Sequence, residues 1–496
     1  MTRKTILILT LAHLFISSGT HASEPLRQPE MFSYNDEGVT QGTIRAAWST
    51  VMVGDSQYES LVFNDKYDSP LIRTRPGGVI KLTLDNQMAE KTALHFHGMQ
   101  VSPLGHGDNI FKIIEPSESW EFEIELPSDH PPGMYWYHSH FNKGSQRQVN
   151  GGIAGAIMVD GMLDPFPELQ GLQERFFVLR NFQKTLTGKL ASDMATGAPS
   201  IRTINGQENP TVAMQPGATQ VWHLANIASN QYFRLYFGGM PFRILSRDGN
   251  TATTIETVTE LLIGPSARVS VLVDGPAVGT HTLDVLKATT GPAGDTYGGQ
   301  VLATIVSAGD SAPPTVITST LNSEPDLRNA KIANRRSFVF QDGQDDPNSF
   351  FINGLKFDFN RVNTTVKLGD TEEWVLSNPS GELHQFHIHQ TDFQVVAVNG
   401  KPVPFVGYRD NVDIPTYGSV TVRIPFTNPV ILGKYVYHCH ILEHEDGGMM
   451  SVIQVVKPED YEKAVTLERV GGIYGNNQMC AYLQNTGQEA LEGAGL

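Results

Sequence analysis

His438-Cys439-His440-Ile441-Leu442-Glu443-His444-Glu445-Asp446-Gly447-Gly448-Met449 brings a thiol, three imidazoles and a thioether into one short stretch. A thiolate, two imidazoles and a long thioether contact are the ligand set of a blue copper site. Cys439, His444 and Met449 offer three of those four ligands. Side chains alternate along a strand, so His438 and His440 point together, away from Cys439. Such a strand holds an electron-accepting ion on one face and offers two histidines to further metal on the other. It is a wire between two metal centres.

Outward from that stretch, the chain repeats one strand pattern three times. Arg75-Pro76-Gly77 leads into Ile80-Lys81-Leu82-Thr83-Leu84-Asp85-Asn86 and then His95-Phe96-His97-Gly98. Gln215-Pro216-Gly217 leads into Val221-Trp222-His223-Leu224-Ala225-Asn226 and then Arg234-Leu235-Tyr236-Phe237. Lys367-Leu368-Gly369-Asp370 leads into Trp374-Val375-Leu376-Ser377-Asn378 and then His384-Gln385-Phe386-His387-Ile388-His389. Each copy reads as a turn, an alternating strand ending in Asn, a loop and another strand. A second strand, opened by Pro116-Ser117, Pro265-Ser266 or Thr416-Tyr417, leads to Gly133, Gly279 or Gly433, and five residues later to His138, Asp284 or His438. The period is that of repeated domains. The expected organisation is all-β, with units at 25–165, 166–325 and 326–460. The middle copy, with Arg234 and Asp284 where the others carry histidine, reads as a spacer without metal.

Of sixteen histidines, ten fall in four groups: His95/His97, His138/His140, His384/His387/His389 and His438/His440/His444. One His pair on a strand is as readily a packed pair as a ligand pair. Four groups at corresponding points of a repeated fold point to metal. H-x-H places two imidazoles on one strand face about 6–7 Å apart. With His384 and His444 given to the thiolate site, eight imidazoles remain, enough for three coppers with room for dioxygen. Zinc fits less well, because a structural zinc site takes four ligands and gains nothing from a neighbouring redox thiolate.

The 496 residues call for more than one core, and 47 Gly and 29 Pro suit many short strands joined by turns. A formal net charge of -16 argues against nucleic acid and anionic membrane surfaces as partners. Arg3 and Lys4, the mostly apolar run Ile6 to Ile16 and Thr20-His21-Ala22 read as an export signal over residues 1–22, cut before Ser23. No paired arginines mark the twin-arginine route, and no segment is of membrane-spanning length. A periplasmic or secreted protein is expected. Only Cys439 and Cys480 occur, so Cys480 has no partner once Cys439 binds metal.

These motifs together resemble the multicopper oxidases, specifically three-domain bacterial laccase-like enzymes, over roughly residues 40–456. The resemblance implies three cupredoxin-like Greek-key β-sandwich domains and four coppers. A type 1 copper takes His384, Cys439 and His444 with Met449 axial; Met450 is adjacent, but Met449 matches the family spacing. A type 2 copper takes His95 and His387. Of two type 3 coppers, one takes His97, His138 and His440, the other His140, His389 and His438. Electrons drawn singly from a small reducing substrate pass from Cys439 through His438 and His440, and dioxygen is reduced to two waters. Glu445 matches an acid the family uses for proton delivery, read here as turned toward the cluster by strand alternation. In the loop after the first motif His106 stands at the usual offset for a second acid, and Asp108, two residues on, is the candidate.

Phenols or aromatic amines are the expected substrates, since no methionine-rich insertion accompanies the type 1 motif and the 14 methionines are scattered. A ferrous or cuprous ion is the alternative, supported by the net charge and by Asp392, Asp410 and Asp413 after the third-copy motif. A copper-free structural relative of the cell envelope is a different class, and the full ligand set argues against it. Copper storage fits less well than redox use, given a built-in electron path. The tail at 461–496 has apolar stretches able to pack back on the body.

Overall fold

The computed structural model describes residues 24–53, 56–183, 200–319, 321 and 324–466. The expected export signal, Cys480 and the tail beyond residue 466 lie outside them. The chain is all-β, with seven sheets among the described residues, six of which form three face-to-face pairs. The first pair has five strands ordered Met31–Phe32, Leu71–Thr74, Ala154–Val159, Gly133–Ser139, Leu94–His97, against four ordered Ser56–Phe63, Val39–Val53, Val79–Asn86, Ser119–Glu125. The second and third pairs each set six strands against five. Neighbouring strands are mostly not consecutive in the chain, so connections cross between the sheets of a pair.

Alternation builds each pair. In Val79–Asn86 the residues Ile80, Leu82 and Leu84 are buried while Lys81, Thr83 and Asp85 face outward. Each pair encloses its own apolar core, around Phe122 and Leu82, Trp222 and Phe233, and Trp374 and Phe386. Each fully buried side chain of this kind contributes roughly 1.5–3 kcal/mol. The two core tryptophans are seated alike: Trp222 Nε1 donates to Gln220 Oε1 at 3.1 Å, and Trp374 Nε1 to Glu372 Oε2 at 2.8 Å.

The Asn ending each repeated strand has one job three times. Asn86 Nδ2 donates to the carbonyls of Glu90 and Ile114, Asn226 Nδ2 to those of Gln231 and Ile263, and Asn378 Nδ2 to those of Glu382 and Ile414. Each Oδ1 accepts from the backbone N–H two residues on. These bonds fold the loop that delivers the next strand, which carries His95/His97 or His384/His387 in the outer copies. That strand pairs antiparallel with the one opened by the repeated glycine, so His95 lies opposite His138, Tyr236 opposite Asp284 and His387 opposite His438.

An apolar seam of Trp136, Val149, Phe176, Ala225 and Leu442 joins residues of all three copies. At the C-terminal end residues 461–466 are helical, and Lys367 Nζ lies 5.6 Å from the Tyr461 ring centroid. No helix among the described residues is long and apolar enough to cross a membrane.

Candidate metal centre

Every ligand residue expected from the sequence is buried, and the residues fall into two adjoining groups. The first is Cys439, at the end of Gly433–Cys439, with His384 at the start of His384–Ile388 and His444 in the short helix Leu442–Asp446. Cys439 Sγ lies 3.9 Å from His384 Nδ1 and 3.6 Å from His444 Nδ1, and the two Nδ1 atoms are 3.1 Å apart. Three donors facing one point, two imidazole nitrogens and one sulfur, make a trigonal ligand set. Met449 is packed in the same apolar cluster as Cys439, and its carbonyl accepts from Cys439 N at 3.0 Å. Met450 packs elsewhere, with Ile110, Val362, Val436 and Val452. Burial pushes the Cys439 thiol up, but the charges and hydrogen bonds of His444 and His384 outweigh it and bring it down to about 6. Gln385 N–H donates to the sulfur at 3.4 Å, a bond with no sequence signature.

On the opposite face of the same strand His438 and His440 meet six imidazoles from two copies. His140 Nε2 and His389 Nε2 stand 3.3 and 3.2 Å from His438 Nε2. His97 Nδ1 is 3.1 Å from His440 Nε2. His95 stacks on His389 at 3.6 Å and His97 on His387 at 3.8 Å, so first-copy rings lie flat on third-copy rings. The donor atoms of His140, His389 and His438 lie within 4.8 Å of one another. Those of His95 lie that close both to His97 and His138 and to His387 and His389, so neighbouring subsites share walls.

The hydrogen bonds of the rings fix which nitrogen faces inward. His95, His138, His387 and His438 turn Nδ1 to Asp108 or to the carbonyls of Ser139, Asp410 and Cys439. Their Nε2 lone pairs are left facing inward, and those of His95, His138 and His387 are buried without a protein partner. Burial first, then the neighbouring imidazoles, hold these histidines far below their usual pKa, His138 at about 3 and His438, by burial, at about 4. Neutral imidazoles with orphaned inward nitrogens fit a bound cation, and beside a thiolate site they fit copper.

Two acids adjoin this group. Asp108 touches His95 Nδ1 at 2.8 Å and accepts from Phe96 N at 2.9 Å and Gln390 Nε2 at 2.6 Å; burial pushes it up to about 7. Glu445 Oε2 lies 3.1 Å from His438 Nδ1, and its Oε1 lies 3.7 Å from His140 Nδ1 and accepts from Ser145 Oγ at 2.9 Å. It faces the cluster, but from the helix Leu442–Asp446; the strand alternation read from the sequence does not apply there. His106 stands apart, stacked on Trp120 at 4.3 Å.

The three acids counted toward a metal-ion donor are engaged by other side chains. Asp392 and Asp410 are buried, held by Gln100 and Asn250 and by Arg268, and Asp413 accepts from Tyr232 Oη at 2.9 Å. The acids that do rim the thiolate site are others. Asp342 lies 3.3 Å from His384 Nε2 and Glu382 3.6 Å from His444 Nε2. Burial, then the charge of Glu382, raises Asp295; burial, then Asp295 and Glu382 against His444, raises Glu443. Glu382 and Glu443 sit beside His384 and His444 in sequence and could have been found there; Asp342, at the end of the strand Asn334–Asp342, and Asp295, in a loop, are distant in sequence and carry no signal.

Sequence models of the multicopper oxidases match residues 45–163, 180–309 and 329–459. A multicopper oxidase of Staphylococcus aureus is 26% identical over 412 residues, 80% of this chain and 84% of that one. The solved multicopper oxidase of Campylobacter jejuni, described as a metallo-oxidase, superposes with a TM-score of 0.77 at 23% identity, covering 88% of this chain and 95% of that one. A laccase-like multicopper oxidase of Ochrobactrum sp., with oxidase activity towards lignin model compounds, gives 0.74 at 25% identity, covering 87% and 100%.

Proposed function

The chain belongs to the multicopper oxidase family, copper-dependent oxidoreductases that use dioxygen, and on that premise we propose that it is laccase-like, oxidising phenols or aromatic amines one electron at a time. Copper supplies the redox chemistry, accepting single electrons at the thiolate site and delivering four of them to dioxygen at the histidine cluster. The observation that carries this reading is the converging donor set: His384, Cys439 and His444 on one face of a strand, eight imidazoles on the other. Cys439, His384 and His444 would hold the electron-accepting ion, with the Met449 thioether as the fourth candidate ligand. His95 and His387 would hold one cluster ion, His97, His138 and His440 a second, and His140, His389 and His438 a third.

Cys439 is covalently continuous with His438 and His440, so an electron leaving the sulfur reaches the cluster largely through bonds. Glu445 holds a proton beside His438 and His140, as burial and then Asp446 keep its carboxyl well above the usual range. Asp108 orients His95 and keeps a second proton site next to it. A phenol that gives up an electron also gives up its proton, and Asp342 and Glu382, at the outer nitrogens of His384 and His444, are the carboxylates placed to accept it. The export signal read at residues 1–22 assigns this activity to the periplasm or the exterior.

One observation favours the alternative, a ferrous or cuprous ion as donor. Glu382 stands 3.6 Å from His444 Nε2, and burial together with neighbouring acid charge raises Asp295 and Glu443 nearby, an acidic rim that would favour a cation. Oxygen uptake on copper-loaded protein with a phenol, Fe2+ and Cu+ side by side separates the two. Faster turnover of the phenol is expected; turnover of metal ions alone, with Asp295→Asn raising their KM, replaces it by the alternative. A loaded protein that is colourless, or binds one copper instead of about four, overturns the oxidase assignment.

A further inference from the structure

Arg268 belongs to the copy that contributes no cluster histidine, yet its guanidinium reaches all three copies. It is buried, at the start of the middle-copy strand Arg268–Asp274. Nε donates to the carbonyl of Met134, in the first-copy strand that carries His138, at 3.1 Å. Nη1 donates to the carbonyl of Ser266 at 3.1 Å. Nη1 and Nη2 grip the two carboxylate oxygens of third-copy Asp410, the first at 2.9 Å. This fork-on-carboxylate geometry fixes direction as well as distance.

Asp410 passes that constraint to two cluster rings. Its Oδ1 lies 3.2 Å from His97 Nε2, and its backbone carbonyl accepts from His387 Nδ1 at 2.7 Å. An ionised carboxylate only accepts, so the His97 proton is held on Nε2. The lone pair of Nδ1 is thereby aimed at His440 Nε2, 3.1 Å away. The same carboxyl oxygen accepts from Asn411 Nδ2 at 3.0 Å, closing its coordination.

The backbone makes room for this arrangement. Gly98, directly after His97, has φ +83°, and a Cβ there stands 2.3 Å from Asp410 Oδ2 and 2.4 Å from Arg268 Nη2. The glycine after the first H-x-H is the gap through which the middle copy reaches the cluster.

We propose that Arg268 is a positioning residue of the oxygen-reducing cluster: its bidentate grip on Asp410 sets the tautomer and ring direction of His97 and the place of the carbonyl that orients His387. The inference rests on the assignment of His97 and His387 as cluster ligands. It makes the middle copy a working part of the metal site.

The test is copper titration of apoprotein, following the blue absorption of the thiolate site and the paramagnetic signal and copper content of the cluster separately. Arg268→Lys keeps the charge but loses the fork. Arg268→Met combined with Asp410→Asn removes both charges, so no lone ion is buried and the fold is spared. In both, unaltered blue absorption and substrate reduction of the thiolate site are expected, with cluster copper affinity reduced about 10–100-fold, the usual effect of losing such a partner. Wild-type cluster affinity in both variants overturns the proposal. So does a parallel loss of blue absorption and cluster copper, which marks general unfolding. Wild-type protein without any cluster signal overturns the ligand assignment instead, so the two failures are distinct.

Discussion

Glu445→Gln separates proton delivery from electron delivery. The carboxyl is fully buried, 3.1 Å from His438 Nδ1 and bonded to Ser145 Oγ at 2.9 Å. Burial, then the neighbouring Asp446, keeps it protonated well above the usual carboxylate range. Glutamine has nearly the same shape, is neutral like the protonated acid, and retains an oxygen for Ser145. The fold should change by less than about 1 kcal/mol. What disappears is a transferable proton. A positioned general acid is typically worth about 10²–10⁴-fold, so roughly 3–5 kcal/mol is added to the barrier of oxygen reduction. Anaerobic bleaching of the blue colour by substrate should run at the wild-type rate, because His384, Cys439 and Met449 are untouched. Oxygen consumption should fall at least about 100-fold. In the wild type it should decline as pH rises through the Glu445 pKa, and that limb should be missing in the variant. Superimposable oxygen-uptake profiles from pH 5 to 9 refute the reasoning. Equal slowing of both half-reactions refutes it differently, by pointing to damage relayed through His444.

Cys439→Ser should abolish the blue absorption and turnover and keep the fold, since Gln385 N–H and the two imidazoles remain as partners for the hydroxyl; retained phenol oxidation means electrons enter elsewhere. Met449→Leu should raise the potential of the thiolate site with copper content nearly unchanged, as read by redox titration; the same shift from Met450→Leu, a side chain packed away from Cys439, shows the register to be wrong. Burial brings His130 down to about 4 in the folded chain, against about 6.5 when unfolded. The unfolded chain therefore takes up this proton first as acid is added, and stability present above pH 6.5 is lost toward pH 4, by up to roughly 3 kcal/mol. His130→Gln should flatten that loss in urea melts at pH 7 and 4.5, and an unchanged slope contradicts it.

The fold was legible because its local devices recur. Asn86, Asn226 and Asn378 close the same loop three times, and the glycines at 133, 279 and 433 open the same strand. The ligand candidates were legible because thiol and imidazole side chains cluster within a few residues of one another. Long-range partners were not. Asp410 meets His97 across copies, and an acid is by prior an exterior residue, so nothing in the sequence paired the two. Arg268 looked like the start of an ordinary strand. The helix at Leu442–Asp446 is one turn and a half, too short to show a period, so Glu445 was placed on a strand.

The thiolate site and the histidine cluster need different lengths of finished chain. His384, Cys439, His444 and Met449 come from one copy, whereas the cluster closes only when His97 meets His440, 343 residues later. Copies of a repeated chain fold as units, N-terminal first, and dock afterwards. Four imidazoles of the first copy must therefore wait, unligated, until the last copy is made and seated. On the proposed ligand assignment metallation would have a built-in order: the thiolate site could fill while the copies are still separate, and the histidine cluster would become a chelator only at docking. Because cluster metal binds the docked arrangement alone, it acts as a clasp on quaternary-like contacts within one chain. Stripping it should loosen copy from copy before any copy unfolds.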